Sequence, residues 1–322
     1  MAEATAAAAR SIDRGRALAW LQDYGVYAAI ALLVAVNAVI TPHFLSTENL
    51  RTQLIQVAPV VIVSLGMALV IGTEGVDLSV GSVMALAAAL LPLYLGYGAV
   101  PAIVAALAGG LVVGLVNGSL VAFVGVQPIV ATLALFVGGR GLALVIAGGR
   151  LKDIRNPDLL GLGSGGVAGV PVPVLIAAVL TVLVMATVRR TTFGRRVVAV
   201  GGNRTASELA GLPVKRILLL VYVIAGILAA VAGTLATARL QASDPSSLGL
   251  LMELSAITAV VVGGTPLSGG QVRVLGTVAG ALLIQLVRAT LIKHDMPDSM
   301  AQMVQAAIIL VAVYAARGRG GR

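Results

Sequence analysis

The sequence contains no cysteine and only two histidines, His43 and His294, among its 322 residues. Disulfides and thiol chemistry are therefore excluded, and a histidine-based metal cluster has too few ligands, because a structural zinc site needs about four Cys or His side chains. Charge is scarce as well, since Asp, Glu, Lys and Arg make up 11% of the chain, against roughly 25% in an average soluble domain. With 59% hydrophobic residues, such a chain cannot cover its apolar surface in water. These absences predict a protein of the lipid bilayer.

Aromatic residues are also few, at 3% of the chain, whereas glycine reaches 39 residues. Small side chains let helices approach closely in a bilayer, where lipid removes the hydrophobic drive for association. The composition therefore predicts an all-α polytopic membrane protein whose helices pack through small residues.

Apolar runs of spanning length, about 20 residues for a helix, recur along the sequence. We predict about ten transmembrane helices in a single transmembrane domain, 24–315, between an N-terminal segment, 1–23, and a basic tail, 316–322. The predicted spans lie around residues 24–41, 54–73, 80–97, 99–123, 128–147, 170–188, 217–237, 246–264, 274–292 and 300–315. The run 246–264 differs from the others because it contains Glu253.

Lysine and arginine are distributed unequally over the connections between these runs. Placing both termini in the cytoplasm gives fourteen basic residues inside against six outside, with seven of them in the connection 189–216, as the positive-inside rule requires. We therefore attribute the pI of about 10.6 to membrane topology and to attraction by anionic lipid. Nucleic acid is a poor partner, because the charges are scattered over loops and no aromatic stacking platform accompanies them.

The string LSGGQ at residues 267–271 is the signature of ATP-binding cassette ATPases. In those enzymes it opens a helix whose N-terminus receives phosphate, and it acts beside a GxxxxGK[ST] loop. The chain has no such loop, nor an apolar strand that ends in paired carboxylates for Mg²⁺. We therefore predict a tight Gly-rich turn between two spans, and no cofactor bound by this chain.

The stretch GTEGVDLSVGS, residues 72–82, places Glu74 and Asp77 between two apolar runs. Acidic groups at membrane depth are costly and are usually kept for function or for fixing a broken helix. Asp77 and Ser79 can cap the span that follows, or they can line a translocation path. Both interpretations stay open.

Other polar residues interrupt the apolar runs farther along the chain. Asn117 in the fourth run and Gln127 at the connection to the fifth can face a pathway or simply join helices. Arg140, within the fifth run, needs acidic or carbonyl partners, either in helix packing or beside a polar cavity. We take Asp77, Ser79, Asn117 and Gln127 as the candidate path residues.

Within the connection 189–216, the stretch NRTASELAG at 203–211 predicts a short surface helix. Asn203 or Thr205 can cap it, Glu208 follows Thr205 by three residues as in a capping box, and Gly211 ends it. This helix has no membrane in which to bury its surface. It is therefore a candidate docking element.

Three stretches, in this order and spacing, resemble one family of proteins. They are GTEGVDLSVGSVMAL, AVGGNRTASELAGLPVKRILLLVYVIAGILAAVAGTL and ELSAITAVVVGGTPLSGGQVRVLGTVAGALL. The likeness is to the membrane permease subunits of bacterial ribose, xylose and galactose-type ABC sugar importers, over about residues 24–315. The stretches NPDLLGLGSG and LIKHDMPDSMAQMVQAAIIL look most like the galactofuranose importer permease. The chain departs from the family pattern at Glu74, Val76, Pro266 and Gln271.

The resemblance implies a type II, vitamin B12 importer-like arrangement of ten helices in the bacterial inner membrane, paired with an identical or sister permease. It implies cytoplasmic ATPase subunits that bind ATP and Mg²⁺, and a periplasmic sugar-binding protein that docks on the connections 42–53, 148–169 and 239–252. It places Asp77 and Ser79 beside the central path. It makes 201–212 the coupling helix to the ATPase, with contacts expected at Gly202, Asn203, Arg204, Glu208, Leu209 and Gly211.

Sugars are neutral and rich in hydroxyl groups, so their path needs dispersed hydrogen-bonding groups and no fixed charge. The alternative is a stand-alone secondary carrier or channel for a small polar solute, which more often shows clustered carboxylates near the membrane midplane. The chain offers only Glu74, Asp77 and Glu253 there. A catalytic enzyme has almost no support, because no nucleophile, base and orienting residue recur near one predicted face.

Overall fold

The computed structural model describes residues 24–317, which are mostly helical. The predicted N-terminal segment 1–23 and residues 318–322 of the predicted tail lie outside the described residues. In chain order the helices of the described part are α1 (Tyr24–Ile40), α2 (Thr47–Gly72), α3 (Val80–Tyr94), α4 (Ala99–Ser119), α5 (Pro128–Ala147), α6 (Pro157–Ser164), α7 (Val172–Arg190), α8 (Thr192–Gly202), α9 (Arg204–Leu209), α10 (Val214–Leu240), α11 (Met252–Val262), α12 (Val274–Lys293) and α13 (Asp298–Arg317).

Short irregular elements extend or join these helices. A 3-10 turn, Leu95–Tyr97, follows α3, and a π-helical turn, Leu120–Val124, follows α4. Two antiparallel ribbons lie in the connections. β1 (Lys152–Asp153) pairs with β4 (Ala242–Ser243), and β2 (Gly166–Val167) pairs with β3 (Val170–Pro171).

Within residues 24–317, seven helices are long and apolar enough to cross a membrane: α2, α3 and α4 with their turns, α5, α7, α10 and α12. The prediction of about ten transmembrane helices in a type II arrangement is therefore wrong. The apolar run 246–264 divides into turns and the 11-residue α11, which rises only ~16 Å against the ~30 Å of the hydrocarbon core. Pro245 and Gly249 break the helix there, whereas a hydropathy count registers only that the neighbouring residues are apolar.

Two other predicted spans also fall outside the seven. The run 24–41 forms α1, which is an apolar helix of shorter length. The run 300–315 lies in α13, which is not among the seven candidates found in the described part.

Small residues set the closest helix contacts, as the composition predicts. α2, α3 and α10 are the most deeply buried spans, whereas few residues of α5 and α7 are buried. A Cβ on Gly110 of α4 would overlap the carbonyl oxygen of Gly226 on α10, and a Cβ on Gly233 of α10 would lie 2.7 Å from the carbonyl oxygen of Met84 on α3. These helices therefore pack backbone against backbone, without room for a larger side chain.

The bundle has two ends that carry different elements. At one, the Gly72 end, the last residues of α2 and α8 meet the turn 263–273, whose Gly270 N–H donates to the carbonyl oxygen of Gly72 at 3.1 Å. At the other, the ribbon end, β1 pairs with β4, and Arg51 near the start of α2 donates to the carbonyl oxygen of Ser164 at 3.2 Å.

Candidate functional site

The connection between α2 and α3 is a buried turn at residues 73–79, and it contains two of the candidate path residues. Asp77 and Ser79 are 2% and 1% exposed. Oδ1 of Asp77 accepts hydrogen bonds from the backbone N–H of Ser79 at 2.9 Å and from its hydroxyl at 2.6 Å. The Nδ2 group of Asn117, on α4, donates to the Ser79 hydroxyl oxygen at 2.8 Å. The structure thus joins three of the four candidates in one network, which we call the junction network.

The junction network holds the start of α3 in a way that neither sequence interpretation describes in full. Ser79 occupies the N-cap position, but its side chain accepts no hydrogen bond from the helix. Asp77 instead binds the residue two positions ahead, as an Asx turn does. The fourth candidate, Gln127, lies exposed at the start of α5, and within residues 24–317 no side-chain hydrogen bond joins it to the network. In this conformation Asp77, Ser79 and Asn117 are closed off from solvent.

We expect Asp77→Ala to lower the stability of the detergent-solubilised protein, because the amide and hydroxyl of Ser79 lose their acceptor while buried. Each buried group left unpaired costs about 1–3 kcal/mol. Asp77→Asn retains an acceptor oxygen in the same place and is the matched control. Thermal unfolding followed by size-exclusion chromatography measures the difference. Equal melting temperatures for the alanine and asparagine variants would contradict the structural importance of this bond.

A second interrupted segment, residues 241–251, enters the bundle from the ribbon end. Its Ser243 hydroxyl donates to the carbonyl oxygen of Ala88 at 2.6 Å, and Gly249 lies against Gly81, so the segment descends along α3 toward the start of that helix. Non-helical backbone at membrane depth is tolerated only where protein groups satisfy it. Arg140 does so here.

The Arg140 guanidinium binds several carbonyl groups of this segment. Its Nη1 group donates to the carbonyl oxygens of Pro245 at 3.0 Å, Ser246 at 3.3 Å and Leu248 at 3.4 Å. Its Nη2 group donates to the carbonyl oxygen of Gly81 at 3.4 Å. Of the two roles that the sequence left open for Arg140, these contacts agree with packing, since the side chain ties α5 to the interrupted segment.

Glu253, in the first turn of α11, lies where the two interrupted segments meet. It is 4% exposed, and a Cβ on Gly81 would lie 2.6 Å from its Oε2 atom. In the described part of the chain, four buried side-chain atoms near this meeting point have no hydrogen-bond partner: Oε2 of Glu253, Oδ1 of Asn117, Nε of Arg140 and the hydroxyl of Tyr222. Sequence reasoning did not predict that Arg140 and Glu253 both lie beside Gly81. The available signal was the presence of both charges inside apolar runs.

The predicted docking element, 203–211 within the expected coupling segment 201–212, forms the six-residue α9 at the Gly72 end, directly after the last residues of α8. Asn203 is the cap, because its side chain accepts from the N–H of Ala206 at 2.8 Å. The predicted capping box between Thr205 and Glu208 does not form. Instead Nε of Arg204 lies 3.4 Å from Oε1 of Glu208 in a half-exposed pair, which contributes little stability.

All six residues predicted to contact an ATPase lie on the surface of this element: Gly202, Asn203, Arg204, Glu208, Leu209 and Gly211. Leu209 is 85% exposed, whereas Ser207 is buried and faces the protein. Gly211 has a φ of 76°, and the Leu212 N–H returns to the carbonyl oxygen of Ser207 at 3.0 Å, which closes the C-terminus of α9. Leu209 therefore projects away from the protein, while the buried Ser207 and the turn at Gly211 hold α9 in place.

The LSGGQ string forms the turn that the sequence predicts, and this turn links the docking element to the junction. Gly264, Gly269 and Gly270 have φ values of 88°, 74° and 75°, and helix α12 begins only at Val274. A Cβ on Gly269 would lie 2.8 Å from both the N atom of Glu74 and the carbonyl oxygen of Gly201. The turn is thus wedged between the end of α8 and the segment 73–79.

Comparison with known proteins identifies one family over most of the chain. Residues 49–313 match the family described as "Branched-chain amino acid transport system / permease component". No solved structure matches. The matching family is a permease component of another transport system, so the comparison also gives no support to a vitamin B12 importer-like architecture.

Curated relatives extend over nearly the full length. The galactofuranose transporter permease protein of Escherichia coli is 38% identical over 92% of this chain and 89% of its own. The ribose import permease protein of the same organism is 38% identical over 92% of this chain and 94% of its own. The fructose import permease protein of Bifidobacterium longum is 41% identical over 82% of this chain and 79% of its own.

Proposed function

The chain belongs to the permease-component family that matches residues 49–313, and we propose that it forms the path of an ABC importer for a monosaccharide. It is a multi-pass protein of the inner membrane. Permeases of ABC importers work with ATPase and substrate-binding partners. The observation that carries the sugar assignment is identity of 38–41% to galactofuranose, ribose and fructose permeases over most of the chain.

The chain itself carries out no catalysis in this proposal. ATP and Mg²⁺ bind the partner ATPase, and no cofactor binds here. The LSGGQ turn supports the assignment of ATP binding to the partner. In ATPases this string opens a phosphate-binding helix, whereas here the next helix begins only at Val274. The conformational change that ATP hydrolysis drives in the ATPase is transmitted to the path through contacts of the ATPase with α8 and α9.

We propose that the Gly72 end faces the cytoplasm and that both termini lie there. The connection 189–216, at that end, carries seven basic residues, which the positive-inside rule favours. Val26 of α1 packs on Ala279, and Nδ2 of Asn37 donates to Thr290 at 2.8 Å, so α1 runs parallel to α12, away from the Gly72 end. α13 starts at the ribbon end and runs back toward the Gly72 end, so α1 and α13 bring both ends of the described part to that end, although neither is among its seven span-length helices.

The ribbon end then faces the periplasm and the sugar-binding protein. The three connections expected to dock it, 42–53, 148–169 and 239–252, lie together at this end, through the β1–β4 ribbon and the Arg51 bond to Ser164. A second permease, identical or a sister chain, and membrane lipid complete the assembly in this proposal.

We propose that transport proceeds by alternating access. Closure of the ATPases pushes α9, α8 transmits the push at Gly201, and the Gly-rich turn carries it to the segment 73–79 and the junction network. Asp77, Ser79 and Asn117 hold the start of α3 beside the path. The unpaired oxygen atoms of Asn117 and Glu253 gain partners when the path opens. Reconstitution tests the function: sugar uptake by vesicles should stop when the ATPase is left out.

A further inference from the structure

A cavity lies between α2, α11, α12 and α13, apart from the junction network. Its volume is about 290 Å³, near the lower limit of ~300–1,000 Å³ for ligand pockets. It extends from Arg288 and Asp298, beside the ribbon end, to Val60 and Gln305 farther along α2 and α13. A space of this size suits a small solute.

The walls of this cavity carry several uncharged polar groups as well as one ion pair. The uncharged polar residues of the lining are Ser247, Ser255, Gln285, Gln302 and Gln305, and the charged ones are Arg288 and Asp298. Polar side chains between membrane helices are costly and mark solute pathways more often than lipid contacts. The amide group supplies both donors and acceptors, as a sugar hydroxyl does.

Contacts with neighbouring residues hold these side chains in place. Nε2 of Gln305 donates to Ser255 Oγ at 3.2 Å and to Thr258 Oγ1 at 3.4 Å. Nε2 of Gln285 donates to Oε1 of Gln53 at 3.0 Å and of Gln56 at 2.8 Å. Both amides use their donors on protein, and among the described residues no protein group donates to their oxygen atoms, which leaves these oxygens available as acceptors for a ligand.

An ion pair and a neutral amide, Arg288 with Asp298 and Gln302, lie at the exposed mouth of the cavity. Nε of Arg288 lies 2.8 Å from Oδ1 of Asp298, and Nε2 of Gln302 donates to Oδ2 of the same carboxylate at 3.2 Å. Because the two charges are paired, the mouth favours a neutral ligand over an ion. Apolar side chains, among them Leu254 and Ile284, line the rest of the cavity and can contact the C–H groups of a sugar ring.

We propose that this cavity is a binding subsite for a neutral monosaccharide, with Gln285 and Gln305 accepting hydrogen bonds from its hydroxyl groups. This inference rests on the proposed function and adds a site to it. The subsite receives sugar at the ribbon end before the path opens toward the Gly72 end. Its wall contains Ser247, which belongs to the interrupted segment held by Arg140, so a sugar in the cavity contacts that segment.

The test uses the absence of cysteine from the natural chain, since an introduced cysteine is then the only thiol. Ala306→Cys and Ser255→Cys each place a thiol in the cavity wall and leave Gln285 and Gln305 in place. Met303→Cys, three residues from Ala306 on α13, places one at a position that is 67% exposed and outside the cavity. Each purified variant, in lipid nanodiscs with both faces in water, is labelled by a small methanethiosulfonate reagent with and without D-ribose, D-galactose or D-fructose. Glycine betaine at equal osmolarity is the reference.

We expect at least one of the three sugars to slow labelling of Ala306→Cys and of Ser255→Cys at least twofold. Labelling of Met303→Cys should not change. Equal rates with and without each sugar would overturn the subsite. The subsite would also be overturned if the reagent labelled neither cavity thiol, which is the result expected when lipid or another subunit fills the cavity. If the subsite fails while the complete transporter still imports sugar, the proposed function stands. Loss of that uptake as well would refute the function itself.

Discussion

Leu209→Asp should abolish ATP-driven sugar uptake by the reconstituted transporter without unfolding the permease. Leu209 is 85% exposed at the Gly72 end, so its replacement removes no internal contact. Burying a leucine against a partner contributes about 1.5–3 kcal/mol, which is roughly ten- to a hundredfold in affinity. An aspartate at the same place adds the cost of desolvating a charge.

The conservative replacement Leu209→Met is the matched control, because it keeps an apolar side chain of similar volume. It should retain most of the uptake and most of the co-purifying ATPase. Uptake and pull-down of the ATPase are measured together with the melting temperature of each permease. If Leu209→Asp still recruits the ATPase at the wild-type level, α9 is not the docking element.

Gly201→Ala should lower both the melting temperature and the transport rate. A Cβ on Gly201 would overlap the carbonyl oxygen of Gly72 and lie 2.7 Å from the N atom of Gly270. Both neighbours are backbone atoms of packed segments and cannot move aside cheaply. Overpacking of this kind costs about 1–3 kcal/mol, and it displaces the contact through which α8 reaches α2.

The adjacent glycine provides the control for the steric effect. A Cβ on Gly202 would meet only the Cα of Gly270, at 4.0 Å, so Gly202→Ala should leave the melting temperature unchanged. Thermal unfolding of the two variants in detergent makes the comparison. Equal melting temperatures would show that α8 does not pack on the end of α2 as described.

The surface elements were predictable from sequence because short-range signals define them. Asn203 and Gly211 mark the two ends of α9, and glycines with Pro266 mark the turn around LSGGQ. Such signals depend on a few neighbouring residues and need no knowledge of the rest of the fold. The detail of the Thr205–Glu208 capping box was wrong because Asn203, one position earlier than the helix, supplies the cap.

The number of spans and the environment of the polar residues could not be predicted in this way. A hydropathy run does not distinguish a crossing helix from the turns and short helix of 244–262, since both bury apolar side chains. Likewise, Asn117 lies 38 positions after Ser79, and only tertiary packing joins it to Asp77 and Ser79 in one network. Gln285 and Gln305 entered no prediction, because single glutamines in apolar runs give no local signal of a shared cavity.

Uptake by proteoliposomes tests the central claim most directly. Vesicles that contain the permease and its ATPase, with ATP inside or outside as orientation requires, are supplied with the sugar-binding protein and a labelled sugar. We predict that sugar accumulates only when permease, ATPase, binding protein and ATP are all present. Uptake by vesicles that contain the permease alone and an ion gradient, or ATP hydrolysis by the purified permease alone, would contradict the account.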